Sequence, residues 1–445
     1  MSTNNIATPK DLAEYIVGKL ELQKGGTTIA LPEGVLSSLF NCMFYASLHS
    51  EEGDSIKVTV TLFDNDGKLK HKTGGGALDT WNFYPFEKPL DFNVSSVVKL
   101  AKAADPWSTS IAVYYDNDNV LWIHGMIDQA IHSQSYINFE KDTKPNRPGL
   151  FETTILGVGT LSVMKKFELL ATLKQEKLVS KYIDVLKSGP VADIINALIK
   201  PFETDTAKLL KHINSETVSL KFKDAAPIAC RNTISRILNK VRDYHHGGSL
   251  LITDSTKDLD IKYKLRYDRL PIAIQDLLQN SICHRCELDN GLNSVAILPS
   301  QLSKIEELRK KSWDAKNELK GAIRFIASQS CVDGLVAMDK SLVVLGFGAV
   351  IENLEIPEKV YISSTSNAST FTERDTDHYG TRHRSMFAYC NAYKGSLGFV
   401  ISQDGDIRVI TKIEDKVVMW ENIKTQKSFR SKPKRAKSSR GDVNK

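Results

Sequence analysis

Two short stretches combine acids, glycines and cations in a way that suits phosphate chemistry. Gly380-Thr381-Arg382-His383-Arg384 stands at a predicted helix start. The start of a helix presents unbonded backbone N–H groups and a positive partial charge, and both favour phosphate. Thr381 can cap that helix. The arginines on either side of the histidine add charge-assisted donors that suit a polyphosphate. A surface helix with ordinary basic residues would carry the same letters. Asp333-Gly334-Leu335 places an acid between Val332 and an apolar run. Gly334 permits close approach of the backbone to a ligand. An acid that caps a turn at a strand edge would look alike.

Other motifs are less specific. Cys283-His284-Arg285-Cys286 has CxxC spacing without a second pair to complete a tetrahedral metal site, so it reads as loop cysteines. Gly74-Gly75-Gly76 lacks the Lys-Ser/Thr of a P-loop and reads as a loop. His245-His246-Gly247-Gly248 can approach a nucleotide through its backbone, or simply end a helix before a strand. No Ser-His-Asp ordering and no HExxH zinc motif stands out.

These motifs need elements to hold them. Helices are predicted over 9–23 and from Pro32 to about Leu48, and a half-buried strand over Ile56–Phe63 before a turn at Asn65-Asp66-Gly67. Ser110–Tyr115 and Val120–Gly125 read as a hairpin, followed by strands over Phe151–Leu156, Leu161–Lys165 and Phe167–Leu173. Helical spacing marks Lys177–Leu186, Val191–Ile199, Thr204–Ile213 and Ala229–Tyr244. A strand is predicted over Ser249–Thr253, a long polar helix over Ser300–Gln329, and strands over Val332–Met338 and Ser341–Leu345. A helix over Arg382–Tyr393 and a strand pair over Ser396–Ser402 and Asp406–Thr411 complete the pattern. The fold class is α/β in the broad, α+β sense. It comprises an α+β domain over 1–175, a helical connector over 176–228, a mixed sheet flanked by helices over 229–420 and a tail over 421–445.

The 445 residues suffice for two or three domains, and 41% hydrophobic with 25% charged residues is an ordinary globular composition. No apolar run is long enough to span a bilayer, and the polar Met1–Lys10 segment predicts no secretory signal. Six scattered cysteines imply no disulfide framework, so a reducing, cytoplasmic setting is expected. The net charge of +6 is concentrated in the tail. Seven basic residues and no acid lie between Lys427 and Arg440. That segment reads as disordered, either a solvated tail or an arm for a polyanion such as nucleic acid.

In order and spacing, Val332-Asp333-Gly334-Leu335-Val336 followed by Gly380-Thr381-Arg382-His383-Arg384 resembles the diadenylate cyclase domain family. Gly398-Phe399-Val400-Ile401-Ser402-Gln403 is similar to that family's strand ending in Ser-Glu or Ser-Gln, and His246-Gly247-Gly248 to its opening strand. Tyr45-Ala46-Ser47-Leu48 with Glu51-Glu52-Gly53, and Leu345-Gly346-Phe347-Gly348-Ala349, resemble the bacterial DACNV-type probable sensor proteins. The resemblance implies a nucleotide site that joins two ATP molecules into cyclic di-AMP and releases pyrophosphate. Two sites on facing copies of the chain would be needed, hence a homo-oligomer. By resemblance, Asp333 is the catalytic residue and holds Mg²⁺ or Mn²⁺. Gly334, Leu335, Gly380, Thr381, Arg382, His383, Arg384 and Ser402 would contact the nucleotide. Leu335 stands where alanine is usual, and Gln403 where many members have glutamate. The resemblance therefore also implies the alternative of a nucleotide or dinucleotide sensor without turnover.

Overall fold

The computed structural model describes residues 6–21, 31–51, 53–63, 82–105, 108–128, 132–140, 151–165, 168–213, 215–292 and 298–427. The Asn65-Asp66-Gly67 turn, the triple glycine at 74–76 and the basic tail beyond Lys427 lie outside these residues. The chain forms two compact units, Met1–Tyr182 with Gln426–Lys445, and Ile183–Thr425. Helices and mixed sheets give the α/β class expected from the sequence.

The first unit is built on an eight-stranded sheet. Its order is Lys177–Val179, Glu168–Lys174, Thr160–Lys165, Phe151–Gly157, Val58–Phe63, Thr109–Tyr115, Leu121–Asp128 and Asn82–Asp91. Among the described residues, only Val58–Phe63 and Thr109–Tyr115 run parallel in this sheet. Alternation fixes the faces. Val58, Val60 and Leu62 join the core under helices Pro9–Glu21, Glu33–Ser47 and Val94–Ala101. The residues between them carry hydroxyls that pair across strands, Thr59 with Thr154 at 3.0 Å and Thr61 with Ser110 at 2.7 Å.

The second unit carries a nine-stranded sheet. Its order is Leu259–Tyr267, Val344–Ile351, Leu335–Met338, Gly248–Ile252, Leu397–Ile401, Ile407–Ile413, Lys416–Trp420, Lys359–Ser363 and Phe371–Asp375. Gly248–Ile252 is an interior strand, parallel to Leu335–Met338 and antiparallel to Leu397–Ile401. Leu250, Ile252, Val336, Met338, Phe399 and Ile401 pack beneath helices Pro190–Ile213, Ala225–Asp243, Arg269–Leu292 and Pro299–Gln329. Leu251, Leu335, Ala337, Val400 and Ile410 face the opposite way, against Met386, Phe387 and Tyr389 of helix Thr381–Ala392. Gly398 lets this helix sit close, because a Cβ there would collide with the Met386 side chain.

Several elements differ from the sequence pattern. Lys177–Leu186 is not a helix. Leu178 pairs with Leu173 across a turn at Gln175, and Ile183 forms a parallel bridge with Ile423. Val191–Ile199 and Thr204–Ile213 belong to one helix, Pro190–Ile213, which passes through Pro201. Its Val191, Ile195, Leu198 and Phe202 join the core of the second unit, so these residues are built into that unit rather than standing as a connector.

Candidate functional site

Sheet register brings the distant motifs to one end of the second unit's sheet. Gly248 pairs with Ile401, so Gly247 and Ser402 leave the two strands side by side. Leu250 pairs with Val336 in parallel, so Asp333-Gly334 enters its strand at the level where Gly247-Gly248 enters its own. Helix Thr381–Ala392 begins at the same end. A Cβ added to Gly247 would lie 2.7 Å from Nη1 of Arg382, 3.1 Å from the Ile401 carbonyl oxygen and 3.4 Å from the Gln403 nitrogen. The far end of the helix is fixed at the opposite end of the strand, where the Tyr389 hydroxyl donates to the Ser255 carbonyl at 2.5 Å.

The helix start is open. Gly380, not Thr381, is the N-cap, with extended backbone and no side-chain hydrogen bond to the first turn. Thr381 is the first helical residue, so the expected cap is absent. The Gly380 carbonyl takes the His383 and Arg384 N–H groups at 3.0 and 3.2 Å. No acceptor for the Thr381 and Arg382 N–H groups is present among the described residues. The Arg382 guanidinium and the exposed Asp333 carboxylate likewise make no hydrogen bond or ion pair among the described residues. Arg384 has a long contact of 3.4 Å to the exposed Asp377.

His383 differs from its neighbours. Its Nε2 lies 3.1 Å from Nη1 of Arg408, and since arginine can only donate, the imidazole must accept. Burial, and then the Arg408 charge, push its pKa down to about 4. His383 is therefore neutral near pH 7 and supplies no cation for phosphate. Cations at this end include Arg382, Arg384 and Arg408, and the last was not singled out in the sequence. Arg408 is held by Glu421 at 3.0 Å and Asp406 at 3.4 Å. Its sequence signal is a charged residue three positions past the Asp404-Gly405 turn. Pairing with Val400, which packs toward helix Thr381–Ala392, then aims it at that helix.

The remaining predicted residues have local explanations as well. Gly334 adopts φ +112°, and a Cβ there would lie 2.6 Å from the Gly348 carbonyl carbon. Glycine is thus required by the neighbouring strand's backbone whatever the ligand. Leu335 is buried among Ala349, Met386 and Phe387, so its bulk fills the core. The Ser402 hydroxyl accepts the Asp406 N–H at 3.1 Å and braces the Ser402–Asp406 turn, while its own proton remains available to a ligand. Cys283 and Cys286 sit on helix Arg269–Leu292, not in a loop, and burial raises both thiol pKa values. No group of three His, Cys, Asp or Glu that could hold a metal ion occurs among the described residues.

Comparison with known proteins bears on the first unit. Residues 29–128 match the family model described as the probable sensor domain DACNV. The match runs from helix Glu33–Ser47 to strand Leu121–Asp128 and ends before the second unit begins. No curated protein and no solved structure matches the chain. Among the described residues, no helix is long and apolar enough to cross a membrane.

Proposed function

We propose that the chain is a sensor protein whose second unit binds a nucleotide through its phosphates. One observation carries this reading: Arg382, Asp333 and the first N–H groups of helix Thr381–Ala392 lie at one sheet end without partners among the described residues. A free guanidinium beside open backbone donors is a ready site for phosphate. Arg382 and the helix start hold phosphate oxygens, with Thr381 and Arg384 beside them. Gly380 keeps the backbone bare, and Ser402 adds a hydroxyl donor. Arg408 fixes the His383 ring in its neutral form. The match of residues 29–128 to a probable sensor domain supports sensing. The free state of all six cysteines suits a reducing compartment, and we place the protein in the cytoplasm. ATP, a related nucleotide or a cyclic dinucleotide is the ligand class. In a titration, ATP or cyclic di-AMP should raise the melting temperature with concentration. Failure of every nucleotide and dinucleotide to do so would rule the reading out.

A second reading is favoured by the unpaired Asp333 carboxylate. In it, two copies face each other and condense two ATP into cyclic di-AMP, each 3′-hydroxyl displacing pyrophosphate from the other α-phosphate. Mg²⁺ or Mn²⁺ would supply charge neutralisation at the phosphates. A divalent ion of this kind needs only one or two carboxylates and completes its shell with phosphate oxygens and water, so Asp333 alone fits the role. Asp333 would hold the ion and orient the attacking hydroxyl. Incubation with ATP and Mn²⁺, followed by mass spectrometry, should then yield cyclic di-AMP, lost in Asp333→Asn while ATP binding persists. The basic tail is proposed as an accessory contact for polyanions, testable by deleting residues 428–445.

A further inference from the structure

We propose that Ser249 is a ligand-binding residue of this site, its hydroxyl reserved for an acceptor on the bound nucleotide. The proposal rests on the nucleotide reading above. Ser249 is 4% exposed, and its Oγ has no hydrogen-bond partner among the described residues. It lies on the strand one residue inside Gly248, whose neighbour Gly247 is packed against Arg382.

Its direction follows from register. Ser249 pairs with Val400, and the parallel ladder places Leu335 on its other side. Both neighbours face helix Thr381–Ala392, and so does Leu251 two residues on. The hydroxyl therefore sits in an apolar row beneath that helix, at the end where the helix begins. Leu251, Leu335 and Val400 show that this row accepts aliphatic side chains. A serine there buries a donor and an acceptor for no gain within the protein, a disposition rare in folded chains. The buried serines and threonines at the other end of the same strand are bonded, Thr253 to Ser396 at 2.9 Å and Thr411 to the Ser396 carbonyl at 2.8 Å. Ser249, unlike Thr253 and Thr411, has no partner among the described residues, and it lies at the end where the helix begins.

Calorimetric titration of wild type, Ser249→Ala and Ser249→Cys with ATP, alongside melting curves without nucleotide, tests this. Ser249→Ala removes a hydroxyl with no partner, so the nucleotide-free protein should melt at or above the wild-type temperature. Its ATP affinity should fall about tenfold, as expected for one lost hydrogen bond. Ser249→Cys keeps the shape with a weaker donor and should fall between the two, which separates lost bonding from lost folding. Unchanged affinity in Ser249→Ala, with Arg382→Ala impaired, would overturn the role of Ser249 alone. Absence of ATP binding by the wild type would overturn the site and this role together.

Discussion

The two ends of helix Thr381–Ala392 are built on opposite principles. At its C-terminal end the Tyr389 hydroxyl donates to Ser255, Thr253 bonds Ser396, and Tyr393 bonds Asp258. That hydrogen bond with Asp258, together with burial, lifts the Tyr393 pKa to about 12. At its N-terminal end Arg382, Asp333, the first backbone N–H groups and Ser249 lack partners among the described residues. One end spends its polar groups on the fold, and the other keeps them for something outside the chain. The contrast predicts that changes at the first end cost stability and changes at the second cost binding.

The largest expected effect is at the closed end. Tyr389 is fully buried, and Tyr389→Ala should destabilise the second unit by about 3–5 kcal/mol through the cavity and the stranded Ser255 and Thr253 groups. Denaturant unfolding measures it. Tyr389→Phe, which removes the hydroxyl alone, should cost about 1 kcal/mol and leave nucleotide affinity unchanged. A loss of affinity larger than the loss of stability would break the separation between the two ends.

His383 sharpens the comparison next. Its folded pKa of about 4 lies below the ordinary value of 6.5, so between those values the unfolded chain binds the extra proton. Its stabilising contribution is complete above about pH 6.5 and drains away as pH falls toward 4, at most about 3 kcal/mol in all. Unfolding free energy measured from pH 7 to pH 4 should fall less steeply in His383→Gln than in the wild type. Equal slopes would mean that the ring is not held neutral by burial and the Arg408 charge.

The smallest effect belongs to the partly exposed Arg384–Asp377 contact. Asp377→Asn should change stability by less than about 0.5 kcal/mol. Removing this acid should leave nucleotide affinity equal or slightly higher, because it frees Arg384 for phosphate. A clear fall in affinity would make Asp377 part of the site.

Much of this arrangement was legible in the residues. The strands Gly248–Ile252 and Leu397–Ile401 and the helix after Gly380 follow from apolar runs bounded by glycines, and they bring the motifs together. What escaped depends on pairing rather than local pattern. Lys177–Val179 carries helical spacing but is captured by a hairpin with Glu168–Lys174. The edge strand Leu259–Tyr267, by contrast, was legible, because Leu259, Ile261, Tyr263, Leu265 and Tyr267 alternate with Asp260, Lys262, Lys264 and Arg266. Arg408 and Ser249 acquire meaning only through register, which sets Val400 between them. Gly334 was read as room for a ligand, whereas the Gly348 backbone already demands it.

The central claim is that the open helix start is a phosphate site. Calorimetric titration of ATP into the wild type and Arg382→Ala tests it most directly. The account predicts binding by the wild type, weakened about 10- to 100-fold in Arg382→Ala, with the melting temperature of the nucleotide-free variant unchanged. Equal ATP affinity in the two proteins, or a variant that loses stability instead of affinity, would contradict it.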